Sequence, residues 1–215
     1  MDEIQKDGLK AELLFWKAWL GSGAGTRYLH PDGMRFISKD MIGAKKEVTV
    51  ANLGSGPINL LGNSFEDVKV DVISSDILAD EYNKLLEELK IKSPHIEKQD
   101  MTNLTYGDNS FDIVFCSNAV DHSHDPYKAL REMIRICKRG GWVYLRHIAH
   151  EGKRHNYTNL HQWNFDVMED GDCIVWRKEK LSKNTFLLSD IYPCFKTLIT
   201  VKTRCSVLSS FVQKK

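Results

Sequence analysis

The chain lacks several things at once. No run of about 18 apolar residues occurs in its 215 residues, so no segment reads as a transmembrane helix. Cysteine is sparse: Cys116, Cys137, Cys173, Cys194 and Cys205 are odd in number and contain no C-x-x-C pair. That argues against a disulfide framework or a zinc-ligand cluster and for buried thiols. Proline is scarce, at 5 residues, which excludes collagenous and proline-rich low-complexity chains. An excess of one charge is also missing, with 30 Lys and Arg against 29 Asp and Glu. Chains held on nucleic acid or anionic lipid by bulk attraction carry a basic surplus, so neither partner is expected. The opening Met1-Asp2-Glu3 is acidic where a secretion signal would be basic, and a cytoplasmic location is expected.

What is present is an average globular composition, 42% hydrophobic and 27% charged, sized for one domain over residues 1–215. Asp2 to Leu20 carries Ile4, Leu9, Leu13, Leu14, Trp16 and Leu20 at roughly helical period and predicts an amphipathic helix. Gly21 to Gly25 ends it; with Arg27-Tyr28, the segment 1–45 is read as a helical lid or as a helix packed on a sheet. In the core segment, 46–150, Glu47–Leu53, Val68–Ser74 with Asp76 at its end, His95–Asp100, Phe111–Cys116 and Trp142–Ile148 read as strands. Helices are expected over Ile77–Lys92 and Pro126–Cys137, the second closed by Gly140-Gly141. This alternation predicts a doubly wound, mostly parallel α/β sheet with helices on both faces. In 151–215, short strands at 165–168, 172–177, 184–188 and 195–202 predict an antiparallel extension of one edge.

The first strand runs into Asn52-Leu53-Gly54-Ser55-Gly56, and about twenty residues later the second ends at Asp76. Glycines let a backbone turn sharply beneath a ligand, and an acid at the neighbouring strand end can accept both ribose hydroxyls. The third glycine of a dinucleotide loop is absent, since Pro57-Ile58-Asn59 follows Gly56. No G-x-x-x-x-G-K-[ST] loop occurs either, so a nucleoside cofactor without a phosphate chain fits best.

From about Val48 to Ile148 the sequence resembles the class I S-adenosylmethionine-dependent methyltransferases, of small bacterial type, through five motifs in order. They are VTVANLGSGP, Asp76, Gln99-Asp100-Met101, Asn109-Ser110-Phe111-Asp112-Ile113-Val114 with the following Asn118-Ala119-Val120-Asp121-His122, and Lys138-Arg139-Gly140-Gly141. The resemblance implies a Rossmann-like seven-stranded sheet with a reversed last strand, and S-adenosyl-L-methionine as cofactor. It implies that Asn52, Gly54, Ser55 and Gly56 lie at the methionine end and that Asp76, with Ile77, lies at the ribose. It further implies that Asp100 and Met101 flank adenine and that Asn118 borders the transferring methyl. Asn52 stands where the family usually has an acid. Asp112, inside a strand pattern, is read as structural.

Six histidines fall at or after the carboxyl ends of the fourth and fifth strands. An imidazole accepts protons near neutral pH, which makes His122 and His147 candidate bases. Arg146, Lys153, Arg154 and His161 are candidates for binding a small-molecule acceptor, and the three cations suit an anionic one. His161-Gln162-Trp163-Asn164 resembles a segment of small bacterial methyltransferases grouped with surface-glycan genes, which suggests a phosphorylated or sugar-linked glycan precursor. No metal is expected, because no carboxylate-histidine spacing is distinctive. The rival reading is a catalytically inactive, methyltransferase-like cofactor-binding or regulatory subunit, and either form is expected as monomer or homodimer.

Overall fold

The computed structural model describes residues 3–23, 36–62, 64–178, 184–201 and 205–215. Ala24, Gly25, Arg27 and Tyr28 of the expected lid lie outside them. At the centre stands β1 (Glu47–Leu53), flanked in parallel by β3 (Val68–Asp76) and β5 (Phe111–Ser117). Alternation along these strands fills both sheet faces. Ala51, Leu53, Val114 and Cys116 pack on one side, and Val48, Val50, Ile113 and Phe115 on the other. Strands buried on both faces read as continuous apolar runs, which is why EVTVANL and FDIVFC were legible.

β6 (Cys137–Ile148) adds in parallel to β5; β11 (Ser206–Gln213) runs antiparallel to β6, and β10 (Lys196–Val201) antiparallel to β11. At the other edge β4 (Glu97–Lys98) and β2 (Ser64–Phe65) pair with opposite ends of β3. Leaving out the two-residue hairpin strand β2, the order is β10-β11-β6-β5-β1-β3-β4. That is the expected seven-stranded, mostly parallel Rossmann-like sheet with a reversed strand from the tail. The helix α3 (Ala79–Glu88) packs with α1 (Glu3–Gly21), sharing Leu20, Tyr82, Leu85 and Leu86 in one apolar cluster. The helix α4 (Pro126–Ile136) starts where Asp125 accepts from the Lys128 N–H at 2.9 Å, and Pro126 occupies its first turn. Two short helices, α2 (Lys39–Ile42) and α5 (Glu151–Arg154), flank the core, and α6 (Leu188–Ile191) follows the later strands.

Two details depart from the sequence reading. Gly140-Gly141 does not close α4, which ends at Ile136; both glycines lie inside β6, where the register against β5 shifts. A Cβ on Gly141 would stand 2.6 Å from the Asp112 carbonyl oxygen, so Gly141 serves a close strand approach, and Gly140 supplies the φ of +75° at the bulge. In the tail, β7 (Asn164–Val167), β8 (Cys173–Trp176) and β9 (Thr185–Leu187) do not extend the edge; they form a separate three-stranded antiparallel sheet. Phe165, Cys173 and Val175 pack into the same cluster as Leu130 and Met133 of α4. Strand patterning shows that segments are extended and does not show which partner they pair with.

Candidate active site

Parallel α/β sheets gather ligands at the carboxyl ends of their strands. Here the ends of β1, β3, β5 and β6 open on a cavity of about 630 Å³, within the range that holds a small organic molecule. Because Leu53 of β1 pairs with Ser75 of β3, the loop after β1 lies against Asp76. Gly54 has φ +61°, and a Cβ there would come within 2.4 Å of the Ala119 Cβ. Gly56 shares that φ, and its Cβ would meet the Trp16 ring at 3.0 Å. The Asp76 carboxylate accepts from the Gly56 N–H and the Leu78 N–H, each at 3.0 Å. Burial pushes its carboxyl above the ordinary value against the pull of those two donors.

Gly54, Ser55, Gly56, Asp76, Ile77, Asp100, Met101, Asn118, Arg146, His122 and His161 all border this cavity. Asp100 also accepts from the N–H and hydroxyl of Thr102, both at 2.8 Å, which fixes the turn that carries Met101. Asn118 sits at φ +53°, a conformation asparagine tolerates, and accepts from the Ile148 N–H at 3.1 Å. Arg146 lies over the Phe36 ring, 4.8 Å from its centroid.

Four expected site residues are elsewhere. Asn52 is buried and donates across to the Ser74 hydroxyl at 3.2 Å, so its amide ties β1 to β3. His147, only 2% exposed, stacks on Phe165 at 4.1 Å instead of facing the cavity. Its position in β6 alternates with those of Arg146 and Ile148, which border the cavity. Lys153 and Arg154 stand exposed on α5, and Arg154 pairs with Glu151 at 3.2 Å. The basic stretch read as one acceptor loop is therefore split, with Arg146 alone of its cations at the cavity.

The far end of the cavity holds a group that sequence reading saw only in part. Asp121, 1% exposed, follows β5 in a 3-10 turn, Val120–His122. Its carboxylate faces His122 Nε2 at 3.4 Å, His147 Nδ1 at 3.5 Å and His161 Nδ1 at 3.5 Å. These contacts are too long for good hydrogen bonds, and neither oxygen has a hydrogen-bond partner among the described residues. Burial acts to raise the Asp121 carboxyl, but the three imidazoles outweigh it and hold it below the ordinary carboxylate value. His122 Nε2 and His161 Nδ1 are 3.1 Å apart. Burial works to lower the His161 imidazole, and Asp121, with Glu151 and Glu12, outweighs it and raises it above the ordinary value. His155 stacks on His161 at 4.0 Å, and the buried Glu151 lies 3.6 Å from the Nδ1 of His161.

The helix α1 supplies a wall that the sequence left undecided between lid and packing element. Gln5, Gly8, Glu12, Phe15 and Trp16 border the cavity. Gln5 donates to the His122 carbonyl at 2.8 Å, and a Cβ on Gly8 would strike Leu160 at 2.6 Å. The aromatic residues on this helix were the available signal. Nothing local marked Gln5, Gly8 or Glu151, and Asp121 was quoted only as part of the motif that ends at His122.

Comparison with known proteins agrees with this layout. A family model described as a methyltransferase domain matches residues 20–145. A demethylmenaquinone methyltransferase of Paenarthrobacter aurescens is 31% identical over 118 residues, 54% of this chain and 45% of that protein. A ubiquinone/menaquinone biosynthesis C-methyltransferase of Bdellovibrio bacteriovorus is 47% identical over 47 residues, 22% of this chain and 20% of that one. The chain thus matches less than half the length of these curated relatives. Among solved structures, the CurJ carbon methyltransferase has the same fold, with a TM-score of 0.54 at 11% identity, covering 82% of this chain and 51% of that one.

Proposed function

The chain belongs to the methyltransferase-domain family, and from that premise we propose that it transfers a methyl group from S-adenosylmethionine to a small-molecule acceptor. The observation that carries this reading is that one cavity joins the Gly54–Gly56 loop and Asp76 at one end to the imidazoles of His122 and His161 at the other. The residues suit the cofactor: a half-buried carboxylate at the end of β3 for hydroxyl groups, and Ile77, Leu78 and Met101 as an apolar wall for a purine. When bound, the cofactor supplies an electrophilic methyl on a sulfonium that departs as a neutral thioether.

The protein's part is alignment and exclusion of water. Asp76 holds the ribose, Asp100 and Met101 flank the adenine, and the backbone of Gly54 to Gly56 passes beneath the methionine end. Asn118 steadies the end of β5 beside the methyl, and α1 covers the pocket. Of the two candidate bases, His122 is the one on the cavity wall, so it is the imidazole that contacts the acceptor. Arg146 and His161 help hold it. The relatives' names favour a quinone-type ring as acceptor; the surface-glycan precursor suggested by His161-Gln162-Trp163-Asn164 gains no support from the cavity.

Calorimetry with S-adenosylmethionine and its demethylated product, followed by an acceptor screen for release of S-adenosylhomocysteine, tests the reading. Saturable binding of both ligands with turnover of a ring or other small acceptor supports it. Binding without turnover on any acceptor points to the regulatory alternative, and no binding by folded protein at millimolar ligand overturns both.

A further inference from the structure

We propose that Asp121, His122 and His161 together bind one divalent transition-metal ion of the zinc class, with its open coordination position toward the acceptor. Three facts converge. First, one atom from each residue, Asp121 Oδ2, His122 Nε2 and His161 Nδ1, forms a triangle with sides of 3.4, 3.5 and 3.1 Å. A tetrahedral ion with bonds of about 2.0–2.1 Å holds its ligand atoms about 3.3 Å apart, so these atoms outline one face of such a site. Second, the donor set of two imidazoles and one carboxylate is one that transition metals take, and oxygen-only cations do not favour it. Third, the Asp121 carboxylate is buried, and among the described residues neither of its oxygens has a hydrogen-bond partner, a costly arrangement that a cation would relieve.

A second group, Glu151, His155 and His161, shares the same His161 Nδ1, so one ion must choose. Glu151 already holds Arg154 at 3.2 Å, and its contacts with both histidines are longer, at 3.6 Å. The Asp121 triangle is tighter, and no lysine or arginine among the described residues pairs with it. Around it, His147 Nδ1, 3.5 Å from the other Asp121 oxygen, is an outer support that steers a metal ligand.

Because His122 and His161 border the cavity while Asp121 lies behind them, the ion would sit where the acceptor binds. This consequence rests on the methyl-transfer reading. A hydroxyl coordinated there loses its proton to solvent more readily. The oxygen electron pair forms the new bond to the methyl carbon, or feeds it through a conjugated ring, while the carbon–sulfur pair leaves on sulfur. In that case His122 acts as a ligand, and the metal-bound acceptor carries the ionisation.

The test is metal binding by the full chain, stripped with chelator and titrated with zinc or cobalt(II) alone, with S-adenosylmethionine affinity measured separately. One equivalent should bind, and cobalt should give the intense visible absorption of a tetrahedral site. Asp121→Asn and His161→Gln should each weaken binding by about 100-fold or more while leaving the circular dichroism spectrum and cofactor affinity intact. His155→Gln should weaken it less than about tenfold. Absence of stoichiometric binding overturns the inference even if the cofactor binds, and loss in His155→Gln but not in Asp121→Asn moves the ion to the other group and also overturns it. Failure of cofactor binding with metal binding intact would instead strike the methyl-transfer reading.

Discussion

Strand β5 has a buried aspartate near each end, and the two are provisioned in opposite ways. Asp112, at the amino end, accepts from the Thr49 N–H at 3.0 Å, the Thr49 hydroxyl at 2.9 Å, and the ammonium groups of Lys45 and Lys138, each at 2.9 Å. Burial acts to raise its carboxyl, but these donors outweigh it and hold Asp112 far below the ordinary carboxylate value. Asp121, beyond the carboxyl end, has three imidazoles nearby and no hydrogen bond among the described residues. A satisfied buried charge stitches strands together, whereas an unsatisfied one is retained at a cost in stability that some other use must offset. The amino end of the sheet is built for stability and the carboxyl end for a ligand.

The comparison breaks if side chains at the carboxyl end prove to be structural. His122→Ala should lower turnover by about 100-fold or more, whether through a lost proton acceptor or a lost ligand, with the cofactor dissociation constant changed less than about twofold. Equal loss of cofactor binding and of folding would place His122 in the scaffold.

At the other end the effect should be on stability. Asp112→Ala should cost about 2 kcal/mol, read as a fall in the urea midpoint, with turnover per folded molecule unchanged. The sign with pH follows from the lowered carboxyl. Its contribution is complete above the unfolded carboxylate pKa of about 3.9 and fades as pH falls toward the folded value. The gap between wild type and Asp112→Ala should therefore narrow below about pH 4; a gap that widens there would contradict the assignment.

Asp121→Asn should cost the metal-free protein less than Asp112→Ala does, because the imidazoles that hold its carboxyl low stand too far for good hydrogen bonds. A fall in thermal midpoint comparable to that of Asp112→Ala would mean that the imidazoles are adequate partners after all. The smallest effect is expected outside both regions. Lys153→Ala, on the exposed face of α5, should leave the acceptor KM within about twofold of wild type in steady-state assays, because only Arg146 of that cationic stretch borders the cavity.

The wall proposed for the cofactor was legible as geometry because it is local: the glycines, Asp76, Asp100 and Met101 border the cavity just past strand ends, and apolar runs mark where the strands stop. The same locality misplaced His147, since adjacent strand residues face opposite sides and neither the ring type nor the spacing reveals which side is open. It also misplaced Gly140-Gly141, whose role is set by how near β5 passes to β6.

By itself, then, the sequence determined the alternating α/β order, the parallel core and the nucleoside-type loop, because hydrophobic period and turn chemistry act over a few residues. Only the tertiary structure decided that Gln5 of α1, Asp121 and His122 after β5, and Glu151 and His161 after β6 meet around one space. It also decided that Asp121 would find no hydrogen-bond partner among the described residues. Such meetings depend on chain closure across long separations and on side-chain directions fixed by packing, and no local spacing records either of these.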